Sequence, residues 1–323
     1  MKKSSRDLSP VISPRYCSRL HPEQRADVIN SDNTRGIVFM LLAMAGFALA
    51  DTLVKVSSSV MTPAQVLFIL LGGGLVIFAL MAIVQKQPLL NRGAFAPLML
   101  VRYMSEIAGM VGMVLALAYV PLSTVGAVTQ ATPILVAVGS VLFLGEKVSW
   151  RRWSCIGVGF LGVLLIVQPG TEGFDLSVLW ALLAMVSLSV RDLMTRLIPT
   201  EIASSSLATY TMIASVPVAA AWVLLSGDSL IPDQLNWWII LPMVSMGSCG
   251  YVLLIASLRM SDVSVVTPFR YSRIIFLLIL GVAVFDERPS QMMLIGAALI
   301  IASGLYMMWR EQQVKRSARE AGP

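Results

Sequence analysis

From Gly36 to Trp309 long apolar runs alternate with short polar turns, and this rhythm sets the class of fold before any single residue is considered. A helix rising 1.5 Å per residue needs about 20 apolar residues to cross a hydrocarbon core of roughly 30 Å. Cutting the pattern at its charged, Gly, Pro and Asp positions gives ten spans, at 36–56, 64–84, 96–119, 122–144, 153–168, 176–196, 205–225, 236–257, 263–285 and 290–309. The cuts at Pro121 and within 257–263 are marked by few polar residues. The prediction is an all-α polytopic membrane protein of ten transmembrane helices. Residues 1–35 carry Ser, Arg, Pro and Asp without a continuous apolar segment and read as a disordered tail, and 310–323 reads as a basic tail.

Composition narrows the function classes. Of 323 residues 57% are apolar and 13% charged, and the mean hydropathy is +0.79, which excludes a soluble globular domain. The net charge of +6 is scattered over short loops and tails, whereas a nucleic-acid binder concentrates its charge on one face. The partners expected are therefore the lipid bilayer and a small molecule, with no nucleic acid. Cys17, Cys155 and Cys249 are odd in number and far apart, and the one histidine, His21, lies in the tail. No disulfide framework, metal site or cofactor follows from them.

Positive charge orients the spans. With the N-terminus in the cytoplasm, the cytoplasmic loops hold Lys86, Arg92, Lys147, Arg151, Arg152, Arg196 and Arg259, and the C-terminal tail adds Arg310, Lys315, Arg316 and Arg319. The opposite loops at 168–175 and 226–236 have neither Lys nor Arg, and only Lys55 and Arg288 lie near that side. The expected setting is a bacterial-type inner membrane with both termini cytoplasmic. Trp222, Trp237, Trp238 and Trp309 fall near the predicted boundaries, where aromatic belts form.

The chain also repeats itself. MLLAMAGFALADTLVK at 40–55 aligns without a gap to ALLAMVSLSVRDLMTR at 181–196, pairing Met44 with Met185 and Asp51 with Asp192 at an offset of 141. The same offset lays 117–146 on 258–287, matching Ser123 to Ser264, Ile134 to Ile275 and Glu146 to Glu287. Each half, 36–168 and 176–309, holds five spans, and an odd number makes the second half enter the membrane upside down. Inverted halves of this kind build many secondary transporters, with the substrate held between them.

ATPILVAVGSVLFLGEKVSWRRWSCIGVGFLGVLLIV at 131–167 resembles the EamA-type repeat of the drug/metabolite transporter superfamily, and 268–308 resembles its second copy. In both, an apolar helix ends in an acidic position, Glu146 after Gly145 and Glu287 after Asp286, and a short turn leads into another apolar helix. The resemblance implies two inverted five-helix halves that move small metabolites by alternating access.

Candidate chemistry is concentrated in the ninth span, where Arg270 and Arg273 follow Pro268. Each arginine near a bilayer centre costs roughly 2.5–3.5 kcal/mol on insertion scales, so the pair requires polar surroundings. Guanidiniums bind carboxylate or phosphate in a bidentate way, which makes the pair a candidate clamp for an anionic substrate. Tertiary pairing with acids elsewhere in the bundle is the competing account. At the repeat offset Arg270, Tyr271 and Arg273 face Thr129, Gln130 and Thr132, and Tyr251 and Arg102 complete the expected binding set. Asp51 has Lys55 four residues on, Asp192 has Arg191 and Arg196 nearby, and Glu106 has Arg102, so these acids are expected to be locally neutralised. Asp51, Asp192 and Glu106 are also the candidates for coupling or gating.

The leading expectation is a secondary transporter of an anionic or zwitterionic metabolite, and not an enzyme. Proton-coupled efflux of lipophilic cations, with Glu106 or Asp51 carrying the proton, is the alternative. A membrane-embedded lipid-modifying enzyme is a third reading, disfavoured because no nucleophile sits with a base and no acids cluster beside a metal ligand. The glycines Gly72–Gly74 and Gly157, Gly159 and Gly162 are read as helix-packing positions.

Overall fold

The computed structural model describes residues 22–87, 96–144, 150–169, 175–198, 204–232, 235–261 and 263–320. Gly145, Glu146, Arg92 and residues 1–21, which figured in the expectations above, lie outside them. Among the described residues twelve α-helices follow one another: α1 Pro22–Ser57, α2 Pro63–Val84, α3 Pro97–Tyr119, α4 Leu122–Thr129, α5 Thr132–Leu144, α6 Trp150–Val167, α7 Val178–Leu197, α8 Ser204–Leu225, α9 Trp237–Met260, α10 Val263–Val266, α11 Ser272–Phe285 and α12 Gln291–Glu320. A 3₁₀ turn, Thr267–Tyr271, joins α10 to α11.

Helix ends are written in the local sequence. Pro63 and Pro97 open α2 and α3, where a missing N–H costs nothing. Thr62 and Gln65 form a capping box on α2, and both reach the turn after α8: the Thr62 hydroxyl donates to Asp228 and the Gln65 amide to the Ser229 carbonyl. Both doubtful cuts fall where expected, with Pro121 preceding α4 and Ser261 closing α9.

Two expectations change. Helix α1 begins at Pro22 and α12 runs to Glu320, so 22–35 and 310–320 continue helices instead of forming free tails. The apolar spans within them are Asn33–Ser57 and Gln291–Arg310. Hydropathy finds where a helix becomes polar, and a solvated helix can go on past that point. Among the described residues nine helices are long and apolar enough to cross a membrane, and Trp153–Val167 is a shorter apolar stretch. Large apolar side chains such as Val76, Leu80, Phe143, Phe160, Leu241 and Ile279 point outward, as lipid-facing residues do.

Contacts between helices carry the duplication into three dimensions. The main partners are α1 with α9, α3 with α7, α6 with α12 and α2 with α8. Under the repeat α1 corresponds to α7 and α9 to α3, so the first two interfaces are images of one another. The other two join a helix to its own counterpart. Each of these interfaces joins one half to the other, and an approximate two-fold axis between inverted halves produces this pattern. Where α6 crosses α12, a Cβ on Gly162 would lie 2.7 Å from the Gly296 carbonyl, and one on Gly296 2.6 Å from the Gly162 carbonyl. Only glycine permits that approach.

Candidate functional site

The fourth and ninth spans are both broken, and the breaks meet. In the first, Pro133 has no N–H to offer the Thr129 carbonyl, which instead accepts the Thr132 hydroxyl at 2.7 Å. The backbone tightens there to three-residue bonds, Ala131 N–H to Val128 O at 3.1 Å and Ile134 N–H to Ala131 O at 3.0 Å. In the second, Pro268 sits in the 3₁₀ turn, and the Ser272 hydroxyl donates to the Phe269 carbonyl at 2.7 Å, a similar three-residue bond one position out of the repeat register. The Gln130 amide donates to the Arg270 carbonyl at 3.1 Å and ties the two breaks together.

Around this junction lies a ladder of charge. Arg273 is ion-paired with Asp51 of α1, and its guanidinium stands 5.5 Å from the centre of the Phe47 ring. Arg270 lies within electrostatic range of Arg273 on one side and of Asp192 and Arg191 on the other. Arg191 bonds Asp192 Oδ1 at 2.9 Å through Nε and Glu106 Oε1 at 2.9 Å through Nη1. Glu106 also faces Arg102 at 3.6 Å, and Arg102 donates to the hydroxyls of Thr195 and Thr211. Four guanidiniums thus stand against three carboxylates among the described residues, leaving one positive charge in surplus.

That surplus is Arg270. Its guanidinium makes neither an ion pair nor a hydrogen bond among the described residues, while each of the other three holds a carboxylate. Arg273 therefore departs from the expected free clamp: Asp51, remote in sequence, has captured it. Asp51 is available because Lys55 is not its partner. Lys55 donates to the carbonyls of Leu117 at 3.2 Å and Val120 at 2.6 Å, closing the C-terminus of α3. The Arg102–Glu106 and Arg191–Asp192 pairings hold as expected, with Arg191 added as a bridge between the acids. The Arg196 side chain lies outside the described residues.

The remaining expected site residues divide. Thr129 and Thr132 spend their hydroxyl protons on their own backbone, at Val125 O and Gly126 O and at Thr129 O, and Gln130 is the tie between breaks. Tyr251 lies edge-on to Phe78, ring centres 5.1 Å apart, within electrostatic range of Arg102. Tyr271 is turned toward α12, where its hydroxyl occupies the space beside Gly304.

One residue was recognised only as part of a motif. The Glu287 carboxylate accepts the N–H groups of Leu122 and Ser123 and the Ser123 hydroxyl, the last at 2.7 Å. It caps α4, whose own flanking residue Pro121 supplies no side-chain cap. Asp286 before it ends α11 in the left-handed conformation, φ 51°, the role glycine usually fills.

Inverted halves, a broken helix from each and a buried charge cluster where the breaks meet define a membrane transporter. The chain belongs to the EamA-like transporter family, whose sequence profile matches residues 34–168 and again 175–309. It is 27% identical over 218 residues to the S-adenosylmethionine uptake transporter of Rickettsia felis, covering 66% of this chain and 72% of that one. It is 29% identical over 215 residues to the riboflavin transporter of Brucella anthropi, covering 65% and 76%. It is 28% identical over 276 residues to the pseudopaline exporter CntI of Pseudomonas aeruginosa, covering 83% and 94%. A solved crystal structure superposes on 88% of this chain and 99% of its own with a TM-score of 0.59 at 17% identity, a likeness of fold. The protein is a multi-pass membrane transporter of small molecules, which retires the enzyme reading.

Proposed function

We propose that the protein is a secondary transporter of a small anionic or zwitterionic metabolite, working by alternating access in a bacterial inner membrane with both termini cytoplasmic. One observation carries the reading: Arg270, at the junction of the two broken spans, is the guanidinium left without a carboxylate. A desolvated guanidinium binds an oxyanion strongly, and a cluster already one charge positive draws anions and repels cations. Proton-coupled efflux of lipophilic cations receives less support. Glu106 lies between two guanidiniums and Asp51 is held by a third, so protonating either acid leaves buried positive charge unopposed. The named relatives handle small metabolites and include both uptake and export systems, which supports a small-molecule cargo and leaves its charge to the site.

The test is a thermal-shift screen of the purified protein against anionic, zwitterionic, neutral and cationic metabolites, with each hit carried into counterflow assays in proteoliposomes. Ligands of the folded state raise its melting temperature. Hits are expected among compounds bearing a carboxylate or phosphate. A screen answered only by lipophilic cations would replace this reading with the efflux one.

A further inference from the structure

Inverted halves that rock about a central site close one face of the membrane at a time, and the two faces of this structure differ. On the face that carries residues 57–62, Val120 and Asp286, α4 packs along α11 and α1 touches α3. Under the repeat these contacts correspond to α10 and the 3₁₀ turn against α5, and to α7 against α9. Among the described residues neither counterpart is of comparable extent. The closed face is held by close backbone approach as well as by polar groups. A Cβ on Gly126 of α4 would lie 2.6 Å from Leu277 of α11, and one on Gly281 would lie 2.6 Å from Glu287 Oε2 and 3.7 Å from the Ser123 Cβ. The missing side chain at 281 therefore lets the Glu287 carboxylate reach the start of α4. Left-handed Asp286 turns the chain back to the same place, with the Glu287 N–H on the Gly281 carbonyl at 3.1 Å. Lys55, which closes α3, lies within electrostatic range of Glu287 and 5.4 Å from the centre of the Phe285 ring.

We propose that Glu287 is the latch of a gate on this face. Its bonds to the N–H groups of Leu122 and Ser123 and to the Ser123 hydroxyl hold α4 and α11 together, and release of the carboxylate lets them part. Lys55 braces the adjoining corner between α1 and α3. This rests on the alternating-access reading and on placing both termini in the cytoplasm, which makes the closed face the outer one and the structure inward-facing. It does not depend on what Arg270 binds. The contact has the properties a reversible closure needs. The carboxylate comes from one half and every donor from the other, so the bonds break when the halves separate. Glu287 is half-buried between exposed Asp286 and Arg288, so water can replace its partners on opening. The breaks at Thr129–Thr132 and Thr267–Tyr271 leave α4 and α11 as half-spans, able to move without the inner halves.

The test needs no substrate. In the full chain with its three cysteines changed to serine, Thr132→Cys supplies a half-buried reporter at the junction of the breaks. Its modification by a membrane-impermeant maleimide is read by mass spectrometry of the reporter peptide, in right-side-out and in inside-out vesicles. Glu287→Gln sets an amide N–H against backbone N–H and should raise labelling from the outer face roughly tenfold, the scale of one lost charge-assisted bond, without raising it from the cytoplasmic face. Gly281→Ala dislodges the same carboxylate from its other side and should do likewise, which guards against a defect peculiar to the first variant. A disulfide needs Cβ atoms about 3.5–4.5 Å apart, so Ser123→Cys/Gly281→Cys is placed to form one. Oxidation of this pair should abolish outer labelling and keep cytoplasmic labelling, and dithiothreitol should reverse it. If no disulfide forms, or if Glu287→Gln and Gly281→Ala change neither face or raise both alike, the latch falls and the anion reading of Arg270 stands. If oxidation blocks the cytoplasmic face instead, the latch stands and the assigned orientation falls. If the oxidised protein labels equally from both faces, the latch and alternating access fall together.

Discussion

The two broken spans occupy equivalent places in the duplicated fold, yet their chemistry differs. In the first, at Thr129–Thr132, the hydroxyls satisfy their own backbone and no charge is present. In the second, at Thr267–Arg273, there are two guanidiniums, one ion-paired with Asp51 and one without a carboxylate of its own within electrostatic range of Asp192. Proline near each break and a hydroxyl closing it are common to both; the charge is not. Duplication therefore supplied a pair of interrupted helices, and divergence placed charge on one of them. The first break is tied to the second by the Gln130 amide, which donates to the Arg270 carbonyl.

Substitutions that exchange properties between the two breaks test this division. The largest effect is expected from Arg270→Ala set against Thr129→Ala. Loss of two charge-assisted bonds of about 1.5–3 kcal/mol each predicts a fall in transport of at least roughly 100-fold in proteoliposomes for the arginine variant, with melting temperature unchanged or raised. Thr129→Ala should keep most of its transport. Next comes stability: Arg273→Ala strands Asp51 and should destabilise by roughly 3–5 kcal/mol, seen as a melting temperature several degrees lower. The double variant Asp51→Ala/Arg273→Ala should lose less than the two single losses summed, and strict additivity would deny the pair. Gln130→Leu removes the neutral tie to the Arg270 carbonyl and should cost about 1 kcal/mol, with a larger loss of transport rate than of affinity. The smallest effect is expected from Asp286→Gly, which relieves a left-handed residue and should raise stability by up to about 1 kcal/mol without altering transport.

Much of the architecture was legible in the chain because it depends on local properties. Apolar length located the spans, Pro121 and the 257–263 turn separated their neighbours, and the offset between Asp51 and Asp192 announced the duplication. The polar character of the ninth span was legible too, since two arginines behind Pro268 cannot rest in lipid. What the chain concealed was who pairs with whom. Spacing of i,i+4 suggested Asp51 with Lys55, but the end of α3 lies within reach of Lys55 and takes its ammonium, and α1 packs against α11 so that Asp51 meets Arg273. Arg102 looked like a binding group and is instead held by Glu106, Thr195 and Thr211. The break in the fourth span went unnoticed because Pro133 lies near the start of a new helix, where proline disturbs little by itself; the combination with the Thr132 hydroxyl on Thr129 was the available signal.

The cap supplied by Glu287 bears on how the chain is made. Helix α4 is synthesised early, but its first N–H groups find their acceptor only when residue 287, near the end of the chain, has left the ribosome. Until then those N–H groups lack the acceptor they have in the folded protein. A helix start in the first half is thus completed by a side chain of the second.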